Sequence, residues 1–210
     1  MRTKDVTRVS LIATAVAAGP ASAAGEGAVE TLMDKIRDGD DKVRAEAWLS
    51  AGKVGAPAVQ PLAKVMTDSN LEVARAAKRA LWAIVRHAGR PGAEQEKEQV
   101  EAEMLELLGG SQPGSVRREV LWMLSEIGSN KCVKPIAGLL SDKDLREDAR
   151  MVLQRIPGRR SLAALKAGLK AAREDFKLNI AQSLRQRGVE VPGLPCVKLV
   201  PTRMTSVQPS

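Results

Sequence analysis

One apolar pattern recurs five times along this chain, and it decides the fold class. Counted from a starting residue, positions 0, +4, +7, +8 and +11 are apolar or small in residues 43–54, 73–84, 116–127 and 145–156, and a fifth, shorter copy spans 176–184. At roughly 100° per residue these offsets fall at about 0°, 40°, 340°, 80° and 20°, one narrow stripe on a helix. The copies start 30, 43, 29 and 31 residues apart, so the unit is close to thirty residues with one insertion. Composition excludes the β alternative. Aromatic residues are 2% of the chain (three Trp, one Phe and no Tyr), which cannot supply the core of a sandwich or barrel.

A second amphipathic segment precedes each copy, at residues 28–37, 58–66, 98–108, 133–140 and 161–171. Asp40, Asn70 and Asp142 stand three residues before a stripe begins, where a short acceptor side chain caps the free N–H groups of a starting helix. Gly55, Gly109, Gly110, Gly128, Gly158 and Gly188 close the units. A single helix pair of this size cannot bury its apolar face, whereas stacked neighbours bury one another's. The expected fold is an all-α solenoid of about five helix pairs.

The motif at the first copy is Asp38-x-Asp40-x-x-Val43-Arg44-x-x-Ala47-x-x-Ser50-Ala51-x-x-Val54, echoed in the four that follow. It resembles the HEAT repeat, and its short period resembles the HEAT-like subclass named for the phycobilisome lyases. The resemblance covers residues 28–188. It implies that the first helix of each pair lies on the convex side and the patterned helix lines the concave side. It also implies an Asp–Arg ladder, which Ala74 and the Gly110-Ser111-Gln112-Pro113-Gly114 turn would interrupt. Such repeats serve as scaffolds, lyases, hydroxylases and nucleic-acid binders, so the likeness speaks to fold more than to function.

On the patterned helix the side opposite the stripe carries offsets +2, +5, +6 and +9. All three tryptophans fall there, Trp48 at +5, Trp82 at +9 and Trp122 at +6, together with Arg75, Lys78, Arg79, Arg118, Arg150 and Arg185. Glu147 is the acidic exception. Glu94, Glu96, Glu98, Glu101, Glu103 and Glu106 gather instead on the insertion and the first helix of unit three. Trp and Arg dominate interaction hot spots. Trp48, Arg75, Lys78, Arg79, Trp82, Arg118, Trp122 and Arg150 are therefore the expected partner-binding residues. The competing reading packs each tryptophan into the seam between stacked units.

Before the repeats, Arg2, Lys4 and Arg8 precede the apolar residues 9–18, a Gly19-Pro20 break and Ala21-Ser22-Ala23. This is the layout of a secretory signal peptide cleaved after Ala23, although a helix capping the array is the alternative. Three domains follow: a signal peptide over 1–23, repeats over 24–188, and a Pro-rich irregular tail over 189–210 containing Pro192, Pro195, Pro201 and Pro209. The net charge of +8 falls to +6 without the leader's three cations and one anion.

Catalytic chemistry has little to draw on. One histidine, His87, rules out a multi-histidine metal centre, and two cysteines rule out a four-cysteine zinc site. His87 suits the C-terminal end of a helix as a cation, and no nucleophile motif stands beside it. Cys132 and Cys196 are either a disulfide tying the tail to unit four or two separate thiols. The expected protein is a non-catalytic, exported, monomeric scaffold with no cofactor, no metal and no membrane span. Its partner is an acidic protein surface or a polyanion. The alternatives are a cytoplasmic nucleic-acid binder resembling HEAT-like alkylpurine DNA glycosylases, and a lyase-type HEAT protein.

Overall fold

The computed structural model describes residues 20–196; residues 1–19 of the expected leader and 197–210 of the expected tail lie outside the described residues. Ten helices follow one another: α1 (Pro20–Ile36), α2 (Asp41–Ser50), α3 (Val59–Val65), α4 (Leu71–Ala88), α5 (Glu94–Gly109), α6 (Gly114–Ile127), α7 (Val133–Gly138), α8 (Arg146–Arg155), α9 (Arg159–Ala171) and α10 (Glu174–Gln186). No strand occurs among the described residues. Consecutive helices pair as units one to five, and the even-numbered helices pack in series from α2 to α10. In the other layer α3 packs on α5 and α7 on α9. This is the all-α solenoid that the period implies.

The stripe is the core. In units two, three and four all five positions are buried, among them Leu81, Leu124 and Leu153, each fully inaccessible. Unit five buries Phe176, Ile180, Ser183 and Leu184. Unit one departs from the pattern: Val43 and Val54 are half-buried and Ser50 is exposed. There α2 stops at Ser50 and the chain tightens into a 3-10 turn, Ala51–Lys53. Ala51 stays fully buried, and three residues per turn rotates only the offset beyond the turn, Val54, off the stripe.

Local chemistry sets the helix starts. Asp40 accepts from the Lys42 N–H at 2.7 Å, and Asn70 accepts from the Glu72 N–H at 3.0 Å. Asp142 differs from expectation: it accepts from the N–H groups of Asp144 and Leu145, capping the turn ahead of α8 rather than the helix itself. Gly158, at φ 99°, makes the reversal between α8 and α9 in a backbone region that side chains disfavour. Arg187 of unit five then reaches back to the carbonyls of Leu153, Gln154 and Ile156 at 2.9–3.1 Å, satisfying the open acceptors at the end of α8.

Candidate functional site

The outward sides of α2, α4 and α6 carry the three tryptophans on three successive units. Trp48 and Trp82 are half-buried and rest partly on the core, while Trp122 is 42% exposed. The guanidinium of Arg79 in unit two lies 5.5 Å from the centroid of Trp48 in unit one. Arg86, one turn beyond Trp82 on α4, lies 5.4 Å from that ring. A cation over an indole face is attracted by the ring quadrupole, and it also covers part of the apolar surface.

The indole edges are tied to carboxylates of the following unit. Trp82 donates its Nε1–H to Glu119 Oε1 at 2.6 Å, and the Lys78 ammonium sits 2.8 Å from Glu119 Oε2. One unit further the arrangement repeats: Trp122 donates to Asp148 Oδ1 at 3.0 Å, and Arg118 Nε donates to Asp148 Oδ2 at 3.2 Å. Glu119 and Asp148 occupy the same +3 position of their helices, with side chains only 19% and 13% exposed. Each carboxylate is thus enclosed by an indole and a cation from the unit before it.

The expected residues therefore divide. Lys78, Trp82, Arg118 and Trp122 form these two links. Arg75 pairs with Glu72 on its own helix at 2.6 Å. Arg150 is 13% exposed in its side chain and is occupied by Glu147, Gln154 and Ser183. Arg185 donates to the backbone carbonyls of Val191 and Leu194 and so anchors the segment after α10. Trp48 and Arg79 form the stack already described. The unbalanced positive field expected here is largely cancelled: of the outward cations, Arg79, Arg86 and Arg185 make no ion pair with a described carboxylate, and Arg185 is taken up by backbone carbonyls.

Glu147 is held below the ordinary carboxylate range. Its partial burial works in the opposite direction, but hydrogen bonds from Arg150 and Asn179 outweigh it. Asp175 is also lowered, first by its hydrogen bonds from Arg146.

Two sequence features take on other roles. Glu101 does not belong to the surface acidic strip: it is 2% exposed, and its Oε1 accepts from the Ser129 N–H at 3.0 Å, the Ser129 hydroxyl at 2.7 Å and the Cys132 thiol at 2.8 Å. Burial, reinforced by Glu101, pushes the Cys132 thiol far up, which leaves it protonated and unreactive. Cys196 is exposed, and both cysteines are free thiols. His87 lies in the last turn of α4, 3.7 Å from Glu96, which pairs more closely with Arg90. Among the described residues no group of three or more His, Cys, Asp or Glu could hold a metal ion. No described helix is long and apolar enough to cross a membrane.

A family model for HEAT repeats matches residues 7–82. The match takes in units one and two as far as Trp82, and it begins inside the stretch that reads as a leader. Three solved structures are similar over most of the chain. One is an engineered protein at 20% identity, covering 80% of this chain and 84% of its own, with a TM-score of 0.40. A designed armadillo repeat protein has 17% identity, coverages of 79% and 84%, and a TM-score of 0.40. Another, in complex with the peptide (KR)4, has 19% identity, the same coverages and a TM-score of 0.41. No curated protein matches the chain.

Proposed function

We propose that this chain is a non-catalytic repeat scaffold, exported after loss of its leader, that binds an extended acidic peptide or acidic protein surface along α2, α4 and α6. One observation carries the reading: Trp48, Trp82 and Trp122 line up on consecutive units, with Arg79 and Arg86 over the first two rings and paired with no described carboxylate. Trp82 and Trp122, held by their own hydrogen bonds, and Trp48, held under Arg79, offer contact area at little entropic cost, and the two arginines offer charge-assisted bonds to carboxylates. A partner with apolar side chains between well-spaced acidic ones fits this mixture.

A nucleic-acid backbone fits it less well. Phosphates would have to compete with Glu119 and Asp148 for Lys78 and Arg118, and with Glu147 for Arg150. The electrostatic footprint expected of a nucleic-acid face is a continuous basic stripe, and here carboxylates interrupt it.

The probe is a fluorescein-labelled peptide of alternating Glu and Leu, read by anisotropy against single-stranded DNA of equal length. Binding of the peptide weakens as salt rises, because exposed charges are screened beyond roughly 8–10 Å. Trp122→Ala combined with Arg79→Ala removes it. Tighter binding of the DNA would replace this reading with the nucleic-acid one. Export is tested separately by the mass of the protein secreted from its native host: a chain beginning at Ala24 agrees, and retention of Met1 outside the cell refutes cleavage.

A further inference from the structure

Units four and five enclose a cleft of about 460 Å³, and it shares no residue with the tryptophan face. Its origin is a mismatch in helix length. α7 has six residues and α9 has thirteen, so α7 covers only part of α9, and the remaining walls come from the 3-10 turn Leu139–Ser141, from Arg146 of α8 and from Phe176 of α10. Ala164, Ala167 and Ala171 of α9 face the cleft as small side chains, Gly168 lies close against Leu140, and Leu140 and Phe176 form the walls. Protein interiors ordinarily pack to crystal-like density. An apolar recess of this size is within the range of small-molecule sites, about 300–1,000 Å³.

The charged lining is of one sign. Lys143, Arg146 and Arg173 line the cleft, and no acidic side chain does. Asp175 lies behind them, 2.9 Å from Arg146 and 3.9 Å from Arg173. Arg146 is also fixed in place 4.6 Å over the Phe176 ring. Lys143 is exposed and makes no ion pair with a described carboxylate. One carboxylate behind three cations leaves the cleft with an excess of positive charge beside an apolar floor.

The geometry points to a binding site for a single-chain anionic amphiphile, a medium-chain fatty acid whose tail lies along the small face of α9 and whose carboxylate meets Lys143 and the two arginines. The tail gains by leaving water, at about 0.8 kcal/mol per buried methylene. The carboxylate selects against neutral analogues.

The experiment is equilibrium dialysis of the whole protein against labelled dodecanoate below its micelle-forming concentration, with dodecanol as the neutral control. One dodecanoate binds per chain, and dodecanol binds about tenfold more weakly, the factor given by 1.4 kcal/mol of lost charge interaction. Ala167→Leu, at an exposed helix position, fills the floor and removes binding. Lys143→Glu weakens it about as much as removing the ligand's charge. Asp175→Asn frees Arg146 and Arg173 and strengthens it. Three results would overturn the site: no dodecanoate bound at millimolar concentration, equal retention of dodecanol, or a binding constant unmoved by Ala167→Leu. Conversion of a dimer to a monomer on adding dodecanoate, seen by sedimentation, would also overturn it, by making a second copy of the chain the natural occupant.

Discussion

Replacing Glu101 by alanine tests the buried polar link between α5 and the start of unit four. In the native structure one carboxylate oxygen takes three donors from residues 28–31 positions away, and the Cys132 side of the cluster is fully buried. Hydrogen bonds to a charged group contribute about 1.5–3 kcal/mol each, and a buried donor left without a partner costs about 1–3 kcal/mol. The thiol is a weak donor, and Ser129 is only half-buried, so water partly replaces what it loses. Relief of the desolvated carboxylate offsets a further share. The expected net loss is about 2–4 kcal/mol, the size usual for breaking a buried polar network. For a domain of this length that lowers the melting temperature by about 5–15 °C. Repeat arrays can unfold piecemeal, so thermal melting by circular dichroism is best paired with hydrogen exchange at Ser129 and Cys132, where protection falls first. Glu101→Gln keeps an acceptor oxygen in place and loses about 1 kcal/mol, the difference between a charged and a neutral hydrogen bond. A loss below about half a kcal/mol for Glu101→Ala, the range of an ordinary surface substitution, would refute the reasoning. Equal damage from Gln would show that the negative charge, not the geometry, holds the cluster.

Three further outcomes are expected. Leu124→Ala and Leu153→Ala, both fully buried on the stripe, each lower stability by about 2–5 kcal/mol in urea titration. Trp82→Ala lowers stability more than Trp122→Ala, since Trp82 rests on the core and Trp122 is 42% exposed; equal effects in parallel melts would contradict the assignment. Glu147 sits below its unfolded value of about 4.3, so its contribution is complete above that value and is lost as pH falls through the folded one. Stability then rises with pH in that acid window, and Glu147→Gln flattens the slope in acid titrations of the unfolding midpoint.

The core was legible because burial on a helix follows one period, and five copies of that period left little freedom. Val54 marks where this reasoning fails: the offsets assume an unbroken α-helix, and the 3-10 turn Ala51–Lys53 ahead of it changes the rotation per residue. The tryptophans and cations could be placed on an outward face, but their neutralisation could not. Glu119 and Asp148 stand at +3, near the border between stripe and outward side, and the bonds they accept come from 26–37 residues earlier in the chain. Such pairings depend on how one unit stacks on the next. Glu101 left a usable signal. It lies three residues before Met104 and seven before Leu108, both buried, and so shares their side of α5. Its acidic neighbours Glu98 and Glu103 do not share that side, and grouping it with them obscured it. The cleft between α7 and α9 depends on helix ends, where a periodic pattern says least.

The repeated link from an indole and a cation to the next unit's +3 carboxylate has a bearing on how such a chain grows or shrinks. The acceptor is carried by the follower and the donors by the leader, so a copied or deleted unit retains the link whenever a carboxylate at that position follows a unit that bears the indole and the cation. Excising unit three would bring Lys78 and Trp82 to Asp148 instead of Glu119, a carboxylate shorter by one methylene. Unit five has Asn179 at the same position, and there the direction reverses, with the amide donating back to Glu147 at 3.0 Å. Moved behind a tryptophan-bearing unit, it would offer a neutral amide where a carboxylate is needed. Unit three alone both accepts the link, through Glu119, and passes it on, through Arg118 and Trp122, whereas unit four carries the acceptor Asp148 with no tryptophan behind it and unit five carries neither.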